Sequence, residues 1–513
     1  MRSSLLIPFA LLLTLVVGGA PSPAHGAAPD SAWWAHALAA IRQDQEKSLK
    51  AHPSWTSSGE DAPGATFGAI VAAAGDVNGD GYDDVIVGAP LWSGAGLESG
   101  KVYVFFGGPH GLSAEPGWSA AGSGQAFAQF GASVATAGDV NGDGFADIVV
   151  GEPYFGDAGG VVGKVYVFHG SPSGPSAAPD WTSTGDDLDG AQFGFSVSTA
   201  GDVNGDGFSD VIVGAPLFMD SARRHVGKAY VFHGSASGLP PAPNWQQTGE
   251  VTTGLPLFGQ SVSTAGDVNG DGFSEIIVGA PFANSTDHFQ AGKAYVFRGG
   301  PLGLTLMPIW YSNGDDQEDA LFGHAVAAAG DVNRDGFGDV VIGAPLFSDL
   351  PVDTPFNEVG KAYVYLGSAS GLSAMPGWTS VGDDQGNARF GSSVASAGDV
   401  NGDGFDDVLV GAPLYSTSAP TDVPNQVGKA YLFLGSGSGP STGADWSSVG
   451  DDQTQAFFGL SVAGAGDVNG DGLDDVLVGA PFFNTQNPHA GKAYLFEGRG
   501  EPRHRPHPRR HSR

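Results

Sequence analysis

Seven near-copies of one nine-residue stretch constrain this chain more than any other feature. The first copy is Asp-Val-Asn-Gly-Asp-Gly-Tyr-Asp-Asp at residues 76–84, and the copies begin at Asp76, Asp139, Asp202, Asp267, Asp331, Asp399 and Asp467. Neighbouring copies start 63 to 68 residues apart, which indicates one supersecondary unit built seven times. Although 513 residues could hold several domains, the repeat takes up most of the chain.

Each stretch has the composition of a calcium loop. In the first copy, oxygen-bearing side chains stand at positions 1, 3, 5 and 9, which are Asp76, Asn78, Asp80 and Asp84, and Tyr82 at position 7 offers its carbonyl. Calcium takes about six to eight oxygen ligands, and a tight loop turns such alternate positions inward. The same positions predict the ligands of the other loops: Asp139, Asn141, Asp143, Phe145, Asp147, Asp202, Asn204, Asp206, Phe208, Asp210, Asp267, Asn269, Asp271, Phe273, Glu275, Asp331, Asn333, Asp335, Phe337, Asp339, Asp399, Asn401, Asp403, Phe405, Asp407, Asp467, Asn469, Asp471, Leu473 and Asp475.

The residues after the loop indicate whether it lies between helices or between strands. Position 12 is Val87, inside an apolar run, where a helix-loop-helix calcium motif would have a glutamate. The run is typical of a strand, so the loop is predicted to join two strands. Asp, Asn and Gly also form turns without metal, but seven copies that all keep three carboxylates favour calcium, with up to seven ions. Because Arg334 adds a positive charge to the fifth loop, we expect that site to bind calcium most weakly.

Four further landmarks accompany each loop. Phe-Gly precedes it, Gly-Ala-Pro ends the apolar run after it, and a Gly-Lys-Ala/Val-Tyr strand follows; Gly151-Glu152-Pro153 is the one variant of Gly-Ala-Pro. A tryptophan precedes Phe-Gly in each unit, and the tryptophans are Trp55, Trp118, Trp181, Trp245, Trp310, Trp378 and Trp446. Four strands with short connections predict one antiparallel blade for each unit, and seven such blades form a ring.

Phe-Gly and Gly-Ala-Pro around Asp-x-Asn-x-Asp-Gly resemble the FG-GAP repeat of the integrin α-subunit head, over roughly residues 55–498. The resemblance implies a seven-bladed β-propeller with calcium in its blade loops, and a role in adhesion. The sequence departs from integrins in having no leg domains, no inserted adhesion domain and no transmembrane segment. The predicted fold is therefore all-β: a seven-bladed β-propeller of four-stranded antiparallel blades, with a short N-terminal helix.

The last unit lacks a tryptophan segment after its Gly-Lys strand, whereas an unpaired one surrounds Trp55. We infer that this N-terminal segment is the outer strand of the seventh blade. The predicted parts of the chain are a signal peptide (1–26), a short amphipathic helix and linker (27–52), the propeller (53–498) and a basic, disordered tail (499–513).

The predicted signal peptide indicates an exported, soluble protein, located outside the cell, at its surface or in the periplasm. We expect it to be a monomer. The chain has no cysteine, so no disulfide framework supports the fold. Its net charge of −33 argues against nucleic acid or an anionic membrane as the partner. Part of this charge comes from the carboxylates of the predicted calcium loops.

Two classes of function remain open. The first is a scaffold that binds an extracellular protein or glycan, and the second is a hydrolase or lyase with its site in the propeller channel. The Gly-x-Ser-x-Gly match at residues 439–443 lies in a predicted turn between strands, without the strand-turn-helix that exposes a nucleophile. His169 and His233 occupy equivalent strand ends where other units vary, which favours exposed positions over a zinc pair. We therefore expect no catalytic residues.

Two loops are longer than their counterparts. From the proline of Gly-Ala-Pro to the following lysine, five units have 10 or 11 intervening residues, whereas the fifth and sixth have 15, at 346–360 and 414–428. Binding residues concentrate in long loops on a rigid scaffold. We therefore expect the partner to contact these loops, on the face away from calcium, through Phe347, Leu350, Asp353, Phe356, Glu358, Tyr415 and Asp422. Drift in the length of surface loops is the alternative.

Overall fold

The structure is a computed structural model that describes residues 48–500, except 95, 158–159, 187–188, 252–253, 350–357 and 419–423. The predicted signal peptide, most of the predicted helix and linker, and nearly all of the basic tail lie outside the described residues. The described residues contain no helix, and hence none that could cross a membrane.

Seven four-stranded antiparallel sheets, one for each repeat, confirm the predicted fold class. We number the blades from the first Phe-Gly. The first strands are Ile70–Gly75, Ser133–Gly138, Ser196–Gly201, Ser261–Gly266, Ala325–Gly330, Ser393–Gly398 and Ser461–Gly466. The second strands are Asp84–Ala89, Asp147–Glu152, Asp210–Ala215, Glu275–Ala280, Asp339–Ala344, Asp407–Ala412 and Asp475–Ala480. The third strands are Lys101–Phe105, Lys164–Phe168, Lys228–Phe232, Lys293–Phe297, Lys361–Tyr365, Lys429–Phe433 and Lys492–Phe496. The outer strands are Trp118–Ala120, Trp181–Ser183, Trp245–Thr248, Trp310–Ser312, Trp378–Ser380, Trp446–Ser448 and Trp55–Ser57. A small hairpin in blade 2 pairs Gly156–Asp157 with Gly160–Val161.

The apolar second strand is the core of each blade. In blade 1, Val85, Ile86 and Val87 are fully buried, because the first and third strands flank them and neighbouring blades cover both faces. The first strands are rich in Ala, Ser and Gly and pack against one another around the axis, from blade 1 to blade 7 and back to blade 1. Small side chains suit this position because seven strands crowd together there.

The recurring tryptophans join each blade to the next. Trp118 packs edge-to-face on Phe168 of blade 2, with ring centroids 5.0 Å apart, and its indole N–H donates to the carbonyl of Ser176 at 3.1 Å. Such pairs contribute about 0.5–1.5 kcal/mol beyond the area that they bury. The equivalent contact repeats for all seven tryptophans. In the last case Trp446 donates to the carbonyl of Lys50, which takes the place of the missing turn in blade 7.

The N-terminal segment closes the ring, as predicted. Trp55–Ser57 pairs antiparallel with Lys492–Phe496, with Trp55 opposite Leu495. Ahead of this strand, Leu49 bridges Gly498 and is fully buried in the core shared by blades 6 and 7. The chain is therefore anchored to the propeller body a few residues before position 53.

Candidate metal centre

The predicted metal loop joins the first and second strands of every blade. A β-bulge precedes the loop of blade 1, because the pairing register shifts between Ala73 and Gly75. Gly75 has a positive φ of 73°, and a Cβ atom there would lie 2.7 Å from the Cβ of Ala146 in the next blade. Glycine therefore immediately precedes the position-1 aspartate in all seven copies.

The carboxylate at position 1 organises the loop. In blade 1, Oδ1 of Asp76 accepts hydrogen bonds from the N–H groups of Gly79 at 2.6 Å and Asp80 at 3.1 Å. Its Oδ2 accepts from the N–H of Gly81 at 2.9 Å, and Oδ1 of Asn78 accepts from Asp80 at 2.9 Å. These bonds fold the backbone into a tight turn around polar side chains.

The acid at position 9 is turned into the blade. Asp84 is fully buried, and its carboxylate accepts from the N–H groups of Val77 at 2.9 Å and Gly107 at 2.8 Å. Burial raises the pKa of Asp84 to about 7. Burial also raises the pKa of the counterparts, to about 6 for Asp147, about 7 for Asp210, Glu275 and Asp339, and about 8 for Asp407 and Asp475. A nearby cation would stabilise their charged forms.

Donor chemistry and loop conformation both fit a calcium ion. Each loop supplies three carboxylates and an amide oxygen, and no described residue donates a hydrogen bond to the position-7 carbonyl. As the side chains stand, however, no three His, Cys, Asp or Glu residues in the described part of the chain lie close enough together to hold a metal. The carboxylates point instead at backbone N–H groups.

Sequence reasoning missed that the seven loops are bonded to one another in a ring. The N–H at position 8 donates to the position-1 carbonyl of the preceding blade, as from Ala146 to Asp76 at 3.0 Å. Asp83 closes this ring by donating to the carbonyl of Asp467 at 3.3 Å, and its carboxylate accepts from the N–H of Asp467 at 2.9 Å. Position 8 is Asp, Ala, Ser or Gly in all copies, and this restriction to short side chains was the available signal.

The residue after each third strand was predicted to be variable and exposed, but it is half-buried in every blade except blade 4. In blade 4 it is Arg298, which forms an ion pair with Asp271 at position 5 of the fourth loop, with Nη2 2.6 Å from Oδ2. In blades 2 and 3 it is His169 and His233, whose Nε2 atoms are buried and have no hydrogen-bond partner. Burial lowers the pKa of His233. Neither histidine belongs to a metal-binding group among the described residues.

A cavity of about 490 Å³ opens at the beginning of the first strands, around the axis. Gln129, Gln260, His324 and Ser392 contribute polar groups to its lining. Burial lowers the pKa of His324 to about 4, so this histidine is neutral at pH 7. The serine of the Gly-x-Ser-x-Gly match, Ser441, lies in a turn outside this cavity and donates to the carboxylate of Asp445.

Three of the predicted partner-binding residues can be placed, because Leu350, Asp353, Phe356 and Asp422 lie outside the described residues. Phe347 is half-buried with the Lys361 ammonium 4.7 Å from its ring centroid, and Tyr415 is half-buried with Lys429 at 4.8 Å. Glu358 forms an ion pair with Arg389 at 2.8 Å. Phe347 and Tyr415 thus pack within their own blades, as Trp92, Phe155, Phe218 and Phe483 do in theirs.

Comparisons with known proteins agree with this architecture. The family profile described as FG-GAP repeat matches residues 67–105, 130–168, 193–232, 258–297, 322–365, 390–433 and 458–496. Similar curated proteins include integrin alpha-5 of Xenopus laevis, 34% identical over 244 residues (46% of this chain, 21% of that protein). Integrin alpha pat-2 of Caenorhabditis briggsae is 35% identical over 236 residues, which are 44% of this chain and 18% of that protein. The matched part spans about a fifth of these relatives' length.

Proposed function

Because the chain belongs to the FG-GAP repeat family, we propose that it is an exported, calcium-binding β-propeller that acts as a binding or adhesion scaffold for an extracellular protein or glycan. The observation that carries this proposal is the recurrence of a folded, acidic loop at the same place in all seven blades. Similarity to integrin alpha chains favours a scaffold over a hydrolase or lyase. The predicted signal peptide supports export.

In each loop, calcium would be held by the side chains at positions 1, 3, 5 and 9 and by the carbonyl at position 7. In blade 1 these belong to Asp76, Asn78, Asp80, Asp84 and Tyr82. The bound ion supplies positive charge that offsets repulsion among three neighbouring carboxylates. The chain's own contribution is the turn that the position-1 carboxylate maintains and the burial of the position-9 acid.

The proposed partner contacts the two long loops, residues 346–360 and 414–428, on the face away from the metal loops. Strand order supports this placement, because these loops join second to third strands whereas the metal loops join first to second strands. The two loops belong to adjacent blades and carry both apolar and acidic residues. Their roots are rigid, since Phe347 and Tyr415 pack under lysines at the base of each loop.

Thermal melts with and without a chelator test the calcium proposal. At about a hundredfold excess of calcium over its dissociation constant, one site stabilises the folded state by about 2.7 kcal/mol, so chelation should lower the melting temperature by several degrees or more. Asp80→Asn removes one ligand carboxylate and should reduce the calcium-dependent part of the shift. Glu115→Gln removes an exposed carboxylate outside the loops and should leave the shift unchanged. A melting temperature indifferent to EDTA would contradict the proposal.

A further inference from the structure

Arg298 follows the third strand of blade 4, and its side chain reaches the metal loop of the same blade. Its Nη2 and Nε atoms lie 2.6 and 2.9 Å from the same carboxylate oxygen, Oδ2 of Asp271. Asp271 is position 5 of the fourth loop and therefore one of its predicted calcium ligands. Two charge-assisted hydrogen bonds from one guanidinium make this a well-defined ion pair.

The guanidinium occupies a place that other loops give to a neutral group. In the second loop, the amide nitrogen of Asn141 at position 3 donates to Oδ2 of Asp143 at 2.9 Å, and the third, fifth and sixth loops repeat this bond. In the fourth loop, Arg298 takes the equivalent oxygen. The amide of Asn269 turns away and donates to Oε1 of Glu275 at 2.9 Å.

No other blade has a permanent cation at this position. The residues that correspond to Arg298 are Phe106, His169, His233, Leu366, Leu434 and Glu497. The first, second, third, fifth and seventh loops show no ion pair to their position-1, 5 or 9 acids among the described residues. The fourth loop therefore differs from these five in having a cation paired with one of its own predicted ligand carboxylates.

We propose that Arg298 substitutes for calcium in the fourth loop, so that this loop remains folded without the ion while other loops depend on it. A +1 guanidinium beside the site would repel a +2 ion and weaken calcium binding by on the order of a hundredfold or more. This inference rests on the proposed calcium function. It makes the fourth loop, and not the fifth, the site that we expect to bind calcium most weakly. Arg334, in the fifth loop, donates to the carbonyl of Asp403 in blade 6 at 3.3 Å rather than to its own carboxylates.

Calcium stoichiometry tests the proposal. Bound calcium per chain would be measured by native mass spectrometry and equilibrium dialysis for the wild type, Arg298→Leu and Leu366→Arg. Leucine is the residue that blades 5 and 6 have at this position, and Arg298 is 51% exposed, so the first substitution should not disturb packing. We expect Arg298→Leu to bind one more ion than the wild type, and Leu366→Arg to bind one fewer.

Hydrogen exchange locates the effect. In the wild type, chelation should speed amide exchange in other metal loops but leave residues 267–275 unchanged, whereas in Arg298→Leu this segment should become sensitive to calcium. Equal stoichiometry in the wild type and Arg298→Leu, or a calcium-sensitive fourth loop in the wild type, would overturn the substitution. Binding of no calcium by the wild type would instead overturn the proposed function itself, so the two failures are distinguishable.

Discussion

In blade 2, Glu152 stands where the other blades have the alanine of Gly-Ala-Pro. A second difference in the sequence of this blade explains the glutamate. In the other six blades, the residue five positions after the tryptophan is an acid. Its carboxylate forms an ion pair with the lysine of the next third strand along the chain, and it can also accept a hydrogen bond from the tyrosine of that strand. Blade 2 has Ser123 there. Glu152 supplies the missing carboxylate: it accepts from the hydroxyl of Tyr166 and, at 2.6 Å, from that of Ser123.

We predict that Glu152→Ala destabilises the protein by about 1–3 kcal/mol, because it leaves the buried hydroxyl of Tyr166 without an acceptor. Ser123→Asp alone should also destabilise the fold, since it places a second carboxylate beside Glu152. The double variant restores the arrangement of the other blades and should be more stable than either single variant. Denaturant unfolding of all four proteins gives the coupling, and simple additivity would refute the compensation.

Sequence patterns predicted which residues form the metal loops but not where their side chains point. Asp84 was recognisable as the acid at position 9, but its buried carboxylate accepts from the N–H of Gly107, which belongs to the turn after the third strand. The pairing of Arg298 with Asp271 joins residues 27 positions apart, across two strands. Such contacts come from packing, which local spacing does not encode.

At the scale of elements, strand order was predictable because every unit repeats the same four landmarks. The burial of the second strand was also predictable, because its apolar run has no polar face. The packing of Phe347 and Tyr415 within their own blades was harder to predict from the sequence. Both were predicted partner contacts, and comparison with Trp92 and Phe218 at the same place in other blades would have indicated their structural role.

Shortening the two long loops tests the proposed binding face. Trimming residues 346–360 and 414–428 to ten residues each, while keeping Phe347 and Tyr415, should abolish partner binding and leave the calcium-dependent melt unchanged. The partner would first be found by screening the intact protein on glycan arrays and extracellular protein libraries. A matched control replaces loop residues other than the predicted contacts by Gly and Ser without changing loop length. Undiminished binding by the trimmed protein would rule out this face.

For the whole molecule, the decisive feature is that the ring is closed by a strand from the opposite end of the chain. Closure was predictable because the last unit has no tryptophan segment after its Gly-Lys strand, whereas an unpaired tryptophan segment surrounds Trp55 at the other end of the chain. The contribution of Leu49 was not predictable, since a single apolar residue within the predicted helix and linker carries no pattern. The ring of bonds between metal loops also crosses this junction, through Asp83 and Asp467.

The last prediction concerns this junction. A variant without residues 27–58 loses the outer strand of blade 7, the buried Leu49 and the carbonyl that accepts from Trp446, so it should unfold or associate. A variant without residues 501–513 should melt like the intact protein. Leu49→Ala gives a milder test and should destabilise the fold by about 2–5 kcal/mol, whereas Leu302→Ala, at a fully exposed leucine, should have almost no effect. Equal stability of the two truncated proteins, measured by thermal melts and size-exclusion chromatography, would refute closure by the N-terminal strand.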